Sequence, residues 1–471
     1  NRLFCNSMRK VVFLFCLFTA TNLIAQNKQL LYNFTDIPQT LMTNPGADVK
    51  YKWYAGVPFL SGISMNVGSS GFSAYDLFAN DGVDFNTKLR NVLSKTTHND
   101  VLSLNQQMEL FSGGFKLGNN YENKGYLSFG LYQEFDFLSY MPQDIATLAI
   151  DGNKNYIGKR FDLGDLSAKA ELLSVFHIGY HKKIQDNLIV GARAKIYSSI
   201  FNASSINNAG YIYTNTSTDA YYEQIVYSNL QLNTSGIAQY NDANNTTNVG
   251  TDVKKGILLG GNLGLGLDLG LTYYPQTNVQ FTASVIDLGY INHTKNVESY
   301  SYKGFYNYKG LVPHFNNENA AQANYQDFKN AIVLDTLHTK YTTWRPTKFN
   351  ASAQYSFDEE RVVDGTCNCE GSDPSIFYKS AVGAQLFVMT TPKSPLFAFT
   401  TYYKRSFSKS VQMKATYTLD SFSYTNLGLG MSTKVGPVNF YVLADNLLSY
   451  ADISKANSLS FQLGLNVVFK E

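Results

Sequence analysis

Cysteine is almost missing from this chain: there are four in 471 residues. Two of them, Cys5 and Cys16, fall in an N-terminal stretch that reads as a leader. Only Cys367 and Cys369 then remain, which excludes a disulfide framework. Charge is sparse as well, with Asp, Glu, Lys and Arg making up 16% of the residues, and no basic tract collects them. That excludes a nucleic-acid partner and a polybasic membrane anchor. The mean hydropathy of −0.19 is not that of a helical membrane protein. Catalytic signatures are missing too. There is no G-x-S-x-G elbow, no H-E-x-x-H and no P-loop, and the glycines at 260, 261, 264, 266 and 270 do not have the G-x-G-x-x-G spacing. No nucleophile and base are nominated, so the sequence reads as a non-enzyme without a cofactor.

Two pairs look like metal ligands and are better read otherwise. His177 and His181 would share one ion on a helix, but on a strand four residues span ~13 Å. Cys367-Asn368-Cys369 offers a chelate or a small strained disulfide. With Gly365, Gly371 and Pro374 around it and no His nearby, an exposed turn is the favoured reading. Asp268 and Asp287 read as residues facing a polar lumen rather than as an acid/base couple.

What the chain does have is aromatic side chains, 34 Tyr and 32 Phe against 2 Trp, a profile that suits pleated, half-buried surfaces. It also has a leader. From Met8, the run MRKVVFLFCLFTATNLIAQ carries two basic residues, an apolar core and small residues up to Ala25, the pattern of a secretory signal peptide too short to span a bilayer. Cys16 follows the bulky Phe15, which argues against lipoprotein processing. Residues 1–7 read as a translation-start artefact. Arg2, Arg9 and Lys10 leave with the leader and no acid does, which takes the formal net charge from +2 to −1.

Strict apolar/polar alternation fills the rest, and it marks strands with one face in oil and the other among polar groups. Leu459, Phe461, Leu463, Leu465, Val467 and Phe469 alternate with Ser460, Gln462, Gly464 and Asn466. Val190, Ala192 and Ala194 alternate with Arg193 and Lys195, and Phe281 and Ala283 with Gln280, Thr282 and Ser284. The stretch Gly256–Tyr274 could pass for a transmembrane helix by hydropathy. Its six glycines oppose that, and Leu263, Leu265, Leu267, Leu269 and Leu271 recur with period two, so it predicts a strand.

A soluble sandwich also alternates. Three features select a membrane barrel instead: segments near the ~9–11 residues a tilted strand needs, aromatics at strand ends such as Trp53, Tyr54, Tyr273 and Tyr274, and a terminal strand closing on Phe469. Strands are expected at 51–67, 105–117, 124–138, 168–182, 187–201, 258–274, 279–291, 344–357, 377–390, 396–407, 411–419, 424–434, 437–445 and 458–469. Fourteen is even, which puts both termini on the periplasmic side with short turns at 184–187, 275–278 and 434–437. The long inserts 202–257 and 292–343 then lie outside, where Tyr211, Tyr213, Ile225 and Tyr227 are spaced for a hairpin.

The expected fold is therefore an all-β, transmembrane antiparallel β-barrel of about 14 strands. Residues 1–25 are the artefact and leader, 26–50 a lumen plug or a periplasmic tail with the plug favoured, and 51–471 the barrel in the outer membrane. A terminal amphipathic strand with Leu463, Leu465, Val467 and Phe469 resembles the recognition signal of the barrel-assembly machinery, which makes that machinery an expected partner during insertion, beside outer-membrane lipid and envelope proteins.

The segments LMTNPGADVKYKWYAGVPFLSGISMNVGSSGFSAYDLF (41–78), FSGGFKLG (111–118), YLSFGLYQEFDF (126–137), SVIDLGYI (284–291) and GPVNFYVLADNLL (436–448) resemble an uncharacterised family of Bacteroidota outer-membrane proteins. More remotely, Asn44-Pro45-Gly46 is similar to the Asn-Pro-Ala turn of fatty-acid-transport (FadL-like) barrels and of the PorP/SprF proteins of type IX secretion and gliding, with Gly46 in the place of Ala. The resemblance implies fold and compartment. It leaves two functions open, passive transport of a small hydrophobic molecule and an anchor or scaffold for a secretion, gliding or envelope-assembly complex.

Overall fold

The computed structural model describes residues 28–118, 124–218, 222–237, 249–309, 320–362, 375–420 and 422–469. The expected leader, with Cys16 and Ala25, and the Cys367-Asn368-Cys369 stretch lie outside the described residues. Fourteen antiparallel strands close into a barrel. In chain order they are β1 (Trp53–Gly56 and Ile63–Ser69), β2 (Val101–Leu117), β3 (Gly125–Tyr140), β4 (Ala168–Gln185), β5 (Leu188–Ser205), β6 (Asn262–Gln276), β7 (Val279–His293), β8 (Tyr341–Trp344 and Lys348–Val362), β9 (Ser375–Met389), β10 (Leu396–Ser406), β11 (Val411–Asp420), β12 (Asn426–Val435), β13 (Val438–Asp445) and β14 (Ser458–Phe469).

The ring closes where β1 pairs with β14, through Trp53↔Phe469, Ala55↔Val467 and Ile63↔Leu463. The Trp53 and Phe469 rings stack across this seam at 4.2 Å. Closure gives every strand of the ring a neighbour on each side.

The two walls differ as alternation requires. On β6, Leu263, Leu265, Leu267, Leu269 and Leu271 are all exposed on the outer wall, while Asp268 and Thr272 are buried inside. On β14, Phe461 and Phe469 are exposed outward, whereas Gln462 and Asn466 are buried toward the bore. Leu463, Leu465 and Val467 lie half-buried in the outward phase of the same strand.

Three expected strands differ in outline. The first is not one piece over 51–67, since pairing breaks between Gly56 and Ile63. The sixth does not begin at 258. Residues Gly256–Gly260 form a helical turn in which Leu259 takes a φ of 66°, and the ladder starts at Asn262. The eighth extends to Val362 and is interrupted after Trp344, where Pro346 has no N–H for the ladder.

At one end the connections are tight, as at 186–187, 277–278 and 436–437. At the other, the chain builds a second sheet from 160–162, 209–216, 222–235, 297–308 and 332–337. It is joined to the barrel where Asn202–Ser204 pair with Asn233–Ser235. Within it Tyr211 faces Tyr227 and Tyr213 faces Ile225, the hairpin register that their spacing suggested.

Because the outer wall is apolar, Leu269→Arg at the middle of β6 is expected to destabilise the barrel in lipid vesicles by about 2–4 kcal/mol. The same change at Leu263, near the strand end, should cost less. Urea titration of the reconstituted protein measures both.

Candidate functional site: a plugged and charged bore

Residues 28–51 run inside the barrel without joining any strand ladder among the described residues, and Lys52 then enters the seam, donating to Phe469 O and accepting from the Lys116 N–H, each at 2.8 Å. Leu31, Tyr32, Phe34, Ile37, Thr40 and Asn44 are completely buried there. A 3-10 turn at Pro38–Met42 starts on a proline, whose missing N–H costs nothing at a helix start. Its apolar side chains are seated in three places. Leu30, Leu31, Phe34 and Ile37 pack with Tyr441 and Leu443; Leu41, Ala47 and Tyr51 with Tyr54, Tyr126 and Val468; and Met42 against a cluster that includes Tyr132 and Tyr197.

The Asn44-Pro45-Gly46 turn is placed by two close approaches. A Cβ on Gly191 would stand 2.2 Å from the Pro45 carbonyl oxygen, and one on Gly46 would stand 2.5 Å from that of Gly270. Only glycine allows the turn to lie this near the wall. An alanine at 46 would push it off, which is a physical reason for the glycine at that place. The Asn44 side chain accepts from the Gly46 N–H at 2.9 Å and donates to the Leu271 carbonyl at 3.3 Å, and Thr272 Oγ1 donates to the Gly46 carbonyl at 2.8 Å.

Cations of the wall hold the carbonyls of this segment. Arg193 donates to Leu41 O at 2.8 Å and Met42 O at 2.9 Å, at the end of the 3-10 turn where carbonyls lack partners. Lys414 donates to Tyr32 O at 2.6 Å and Leu30 O at 3.1 Å, and its ammonium lies 4.2 Å from the Tyr402 ring centre. Gln39 and Asn466 exchange two hydrogen bonds, at 2.9 and 3.0 Å. Glu109 accepts from Gln39 at 3.0 Å and from Ser61 at 2.9 Å.

Behind the plug an ion network crosses the bore. A bulge in β7 sets two residues, Ile286 and Asp287, against Asp268 of β6, and Asp287 takes a φ of 62°. Both carboxylates therefore point inward. Asp268 meets Arg193 at 2.5 Å and Lys195 at 2.9 Å; Asp287 meets Lys195 at 2.5 Å and Lys348 at 3.0 Å. Arg345 continues the chain of charges to Glu171 at 2.7 Å, Asp136 at 2.9 Å and Glu134 at 3.1 Å.

A cavity of about 40 Å³ lies in the middle, lined by Lys28, Glu134, Asp287 and Lys348 among others, room for a water. Lys28 hydrogen-bonds Gln107, and desolvation in the bore pushes its ammonium down to about 8 against the opposing pull of Glu134. Toward the tight turns the bore widens to a vestibule of about 1430 Å³ lined by charged and polar groups, among them Asp36, Asp48, Lys50, Lys404 and Tyr274. Toward the loops one sector of it is apolar, beside buried polar groups such as Asp420, Asn426 and Asp445. Val101, Tyr140, Phe387, Leu396 and Phe422 pack there with Leu138 and Met389.

His177 and His181 do face the same interior, each buried, with His181 stacked on Tyr126 at 5.2 Å; among the described residues no group of metal-ligating side chains assembles. Sequence reasoning placed Arg193, Lys195, Asp268 and Asp287 on inward faces but missed their partners Glu134, Asp136, Glu171, Arg345 and Lys348, and also Lys414. The signal was present in YQEFDF, where Glu134 and Asp136 alternate with Phe135 and Phe137.

A family model described as "Family of unknown function (DUF5723)" matches residues 45–445. The chain belongs to that family. No curated protein matches it. Among solved structures, this DUF5723 member is similar to the Ralstonia pickettii toluene transporter TbuX, with 10% identity over 92% of this chain and 94% of that one and a TM-score of 0.38. It is similar to a Pseudomonas aeruginosa FadL homologue at 8% identity, 96% and 100% coverage and a TM-score of 0.41. The Pseudomonas putida toluene transporter TodX matches at 8% identity, 92% coverage of both chains and a TM-score of 0.34.

Arg193→Met leaves two plug carbonyls unpaired and Asp268 with one cation fewer, so a loss of about 3–5 kcal/mol is expected in urea titration. Gly46→Ala should leave the barrel's stability nearly unchanged and expose residues 28–51 to protease. The Lys28 ammonium, which ordinarily gives up its proton near 10.5, does so at about 8 within the bore. Between those values the unseated segment binds more protons, so the plug should seat more tightly as pH rises through that window. Lys28→Met should weaken the dependence, as followed by the rate of proteolytic release.

Proposed function

We propose that this chain spans an outer membrane and passes a small apolar molecule passively, and that the arrangement described is its closed state. Outward leucines continue along whole strands, an exposed apolar surface larger than a water-soluble monomer carries. A closed ring satisfies every backbone group in lipid. Apart from the divided β1 and the eight-residue β13, the strands have unbroken runs of 10–18 residues, enough for the crossing length of ~9–11.

The observation that carries transport is the kind of closure. The bore has an apolar sector on the loop side and a polar vestibule on the turn side. What separates them is a segment held by side-chain hydrogen bonds and packing, not by strand pairing. Such a segment can leave or shift without breaking the barrel's ladder, and an apolar solute gains most from the apolar sector's Phe387, Leu396 and Phe422. Both ends of the path also fit the orientation in which the turns face the periplasm. A scaffold role has no observation here that favours it.

Deleting residues 28–50 tests this reading. In planar bilayers the full chain should conduct little, and the deletion should open an ion-conducting pore. Vesicles carrying the full chain should take up a monoaromatic or acyl probe faster than empty vesicles. A deletion variant that folds and still does not conduct, with no uptake by the full chain, would overturn the proposal.

A further inference from the structure

A recess of about 510 Å³ lies on the barrel wall near the loop end, separate from the bore, lined by Leu172, Ile200, Phe201, Ile237, Val253 and Lys255 among others. Its floor belongs to the outer wall. Phe135, Leu172 and Phe201 stand opposite one another on β3, β4 and β5, in the outward phase of those strands, and the Phe135 and Phe201 rings are 6.2 Å apart. Ile200 is set out of register by a bulge in the same pairing.

One side of the recess is the Gly256–Gly260 turn. It is fixed to the wall, since Ser198 Oγ donates to the Gly256 carbonyl at 2.6 Å and accepts from the Gly261 N–H at 3.1 Å. Lys295 holds its far end through the Gly260 and Gly261 carbonyls, at 2.9 and 3.1 Å. So held, the turn projects Leu258, 73% exposed, away from the barrel. A leucine held out in this way, next to the left-handed Leu259, is costly in water and favourable in acyl chains. Directly before it, at the end of the short helix Val249–Lys255, stand the exposed amines of Lys254 and Lys255.

We propose that this recess binds one phosphorylated acyl lipid of the leaflet at the loop end, with an acyl chain along Leu172, Ile200 and Phe201 and the phosphate at Lys255 and Lys254. The apolar floor supplies the chain's contacts. Lys255 at the rim, with the exposed Lys254 next to it in the helix, supplies the charge that a neutral or zwitterionic lipid cannot use as well. Each lysine near a membrane surface favours an anionic headgroup about fivefold, so removing both should cut the preference about thirtyfold. The site rests on the reading that the outer wall meets lipid, and it is distinct from any path through the bore.

The test is native mass spectrometry of the full chain released from nanodiscs of mixed phosphatidylglycerol and phosphatidylcholine. One phosphatidylglycerol should be retained in preference. Lys254→Ala with Lys255→Ala should abolish that preference while the barrel inserts as before. Val253→Trp, which fills the recess from the loop side, should abolish retention of either lipid. An inserted barrel that carries no lipid, that retains both lipids equally, or whose bound lipid is displaced by free inorganic phosphate, overturns this site alone. A chain that inserts into neither lipid overturns the membrane reading beneath it.

Discussion

Closure of the ring is the constraint from which the rest follows. Once Trp53 to Gly56 pair with Asn466 to Phe469, every strand has two neighbours, and no backbone edge is left to satisfy. The chain can then present leucines outward without exposing amides to lipid. The same alternation that puts Leu265 and Leu267 outside puts Asp268 and Arg193 inside. A fourteen-stranded ring is too wide for its own inward side chains to fill, so the polar interior has to be occupied by water or by chain.

Residues 28–51 occupy it, and the way they are held explains the composition of the wall. The segment has carbonyls without helix or sheet partners, and buried carbonyls need donors. Arg193 and Lys414 supply them as charged donors from β5 and β11, while Gln39 and Asn466 add a neutral pair. Isolated cations would be costly in such an interior. Asp268 and Asp287 offset Arg193 and Lys195, and Arg345 draws Glu134, Asp136 and Glu171 into the same network. The charges are therefore part of how the bore is closed, and the chemistry of the site is positional rather than catalytic.

Much of the barrel was legible because period two is a local signal. β6, β7 and β14 were readable from Leu263 to Leu271, from Phe281 to Val285 and from Leu459 to Phe469. The signal failed where the backbone leaves the period. The bulge at Ile286 and Asp287 keeps two successive residues inside, the turn at Leu258 and Leu259 looks like a continuation of the leucine repeat, and the gap at 57–62 splits β1. The gap carries Pro58, which has no N–H for the ladder; the bulge and the turn have no local mark stronger than a glycine, and glycine is common throughout this chain.

The sequence by itself determined that this is an alternating β protein without a disulfide framework, with an apolar wall, an even strand count and a polar interior. These properties are carried by neighbours two residues apart and need no knowledge of the far chain. Only the tertiary structure decided what fills the bore and which charges meet. The contacts of Arg193 with Leu41 and Met42, of Lys414 with Tyr32, and of Gly46 with Gly270 join residues more than a hundred positions apart. Their partnership is set by barrel radius and strand stagger, quantities that exist only once the ring is closed.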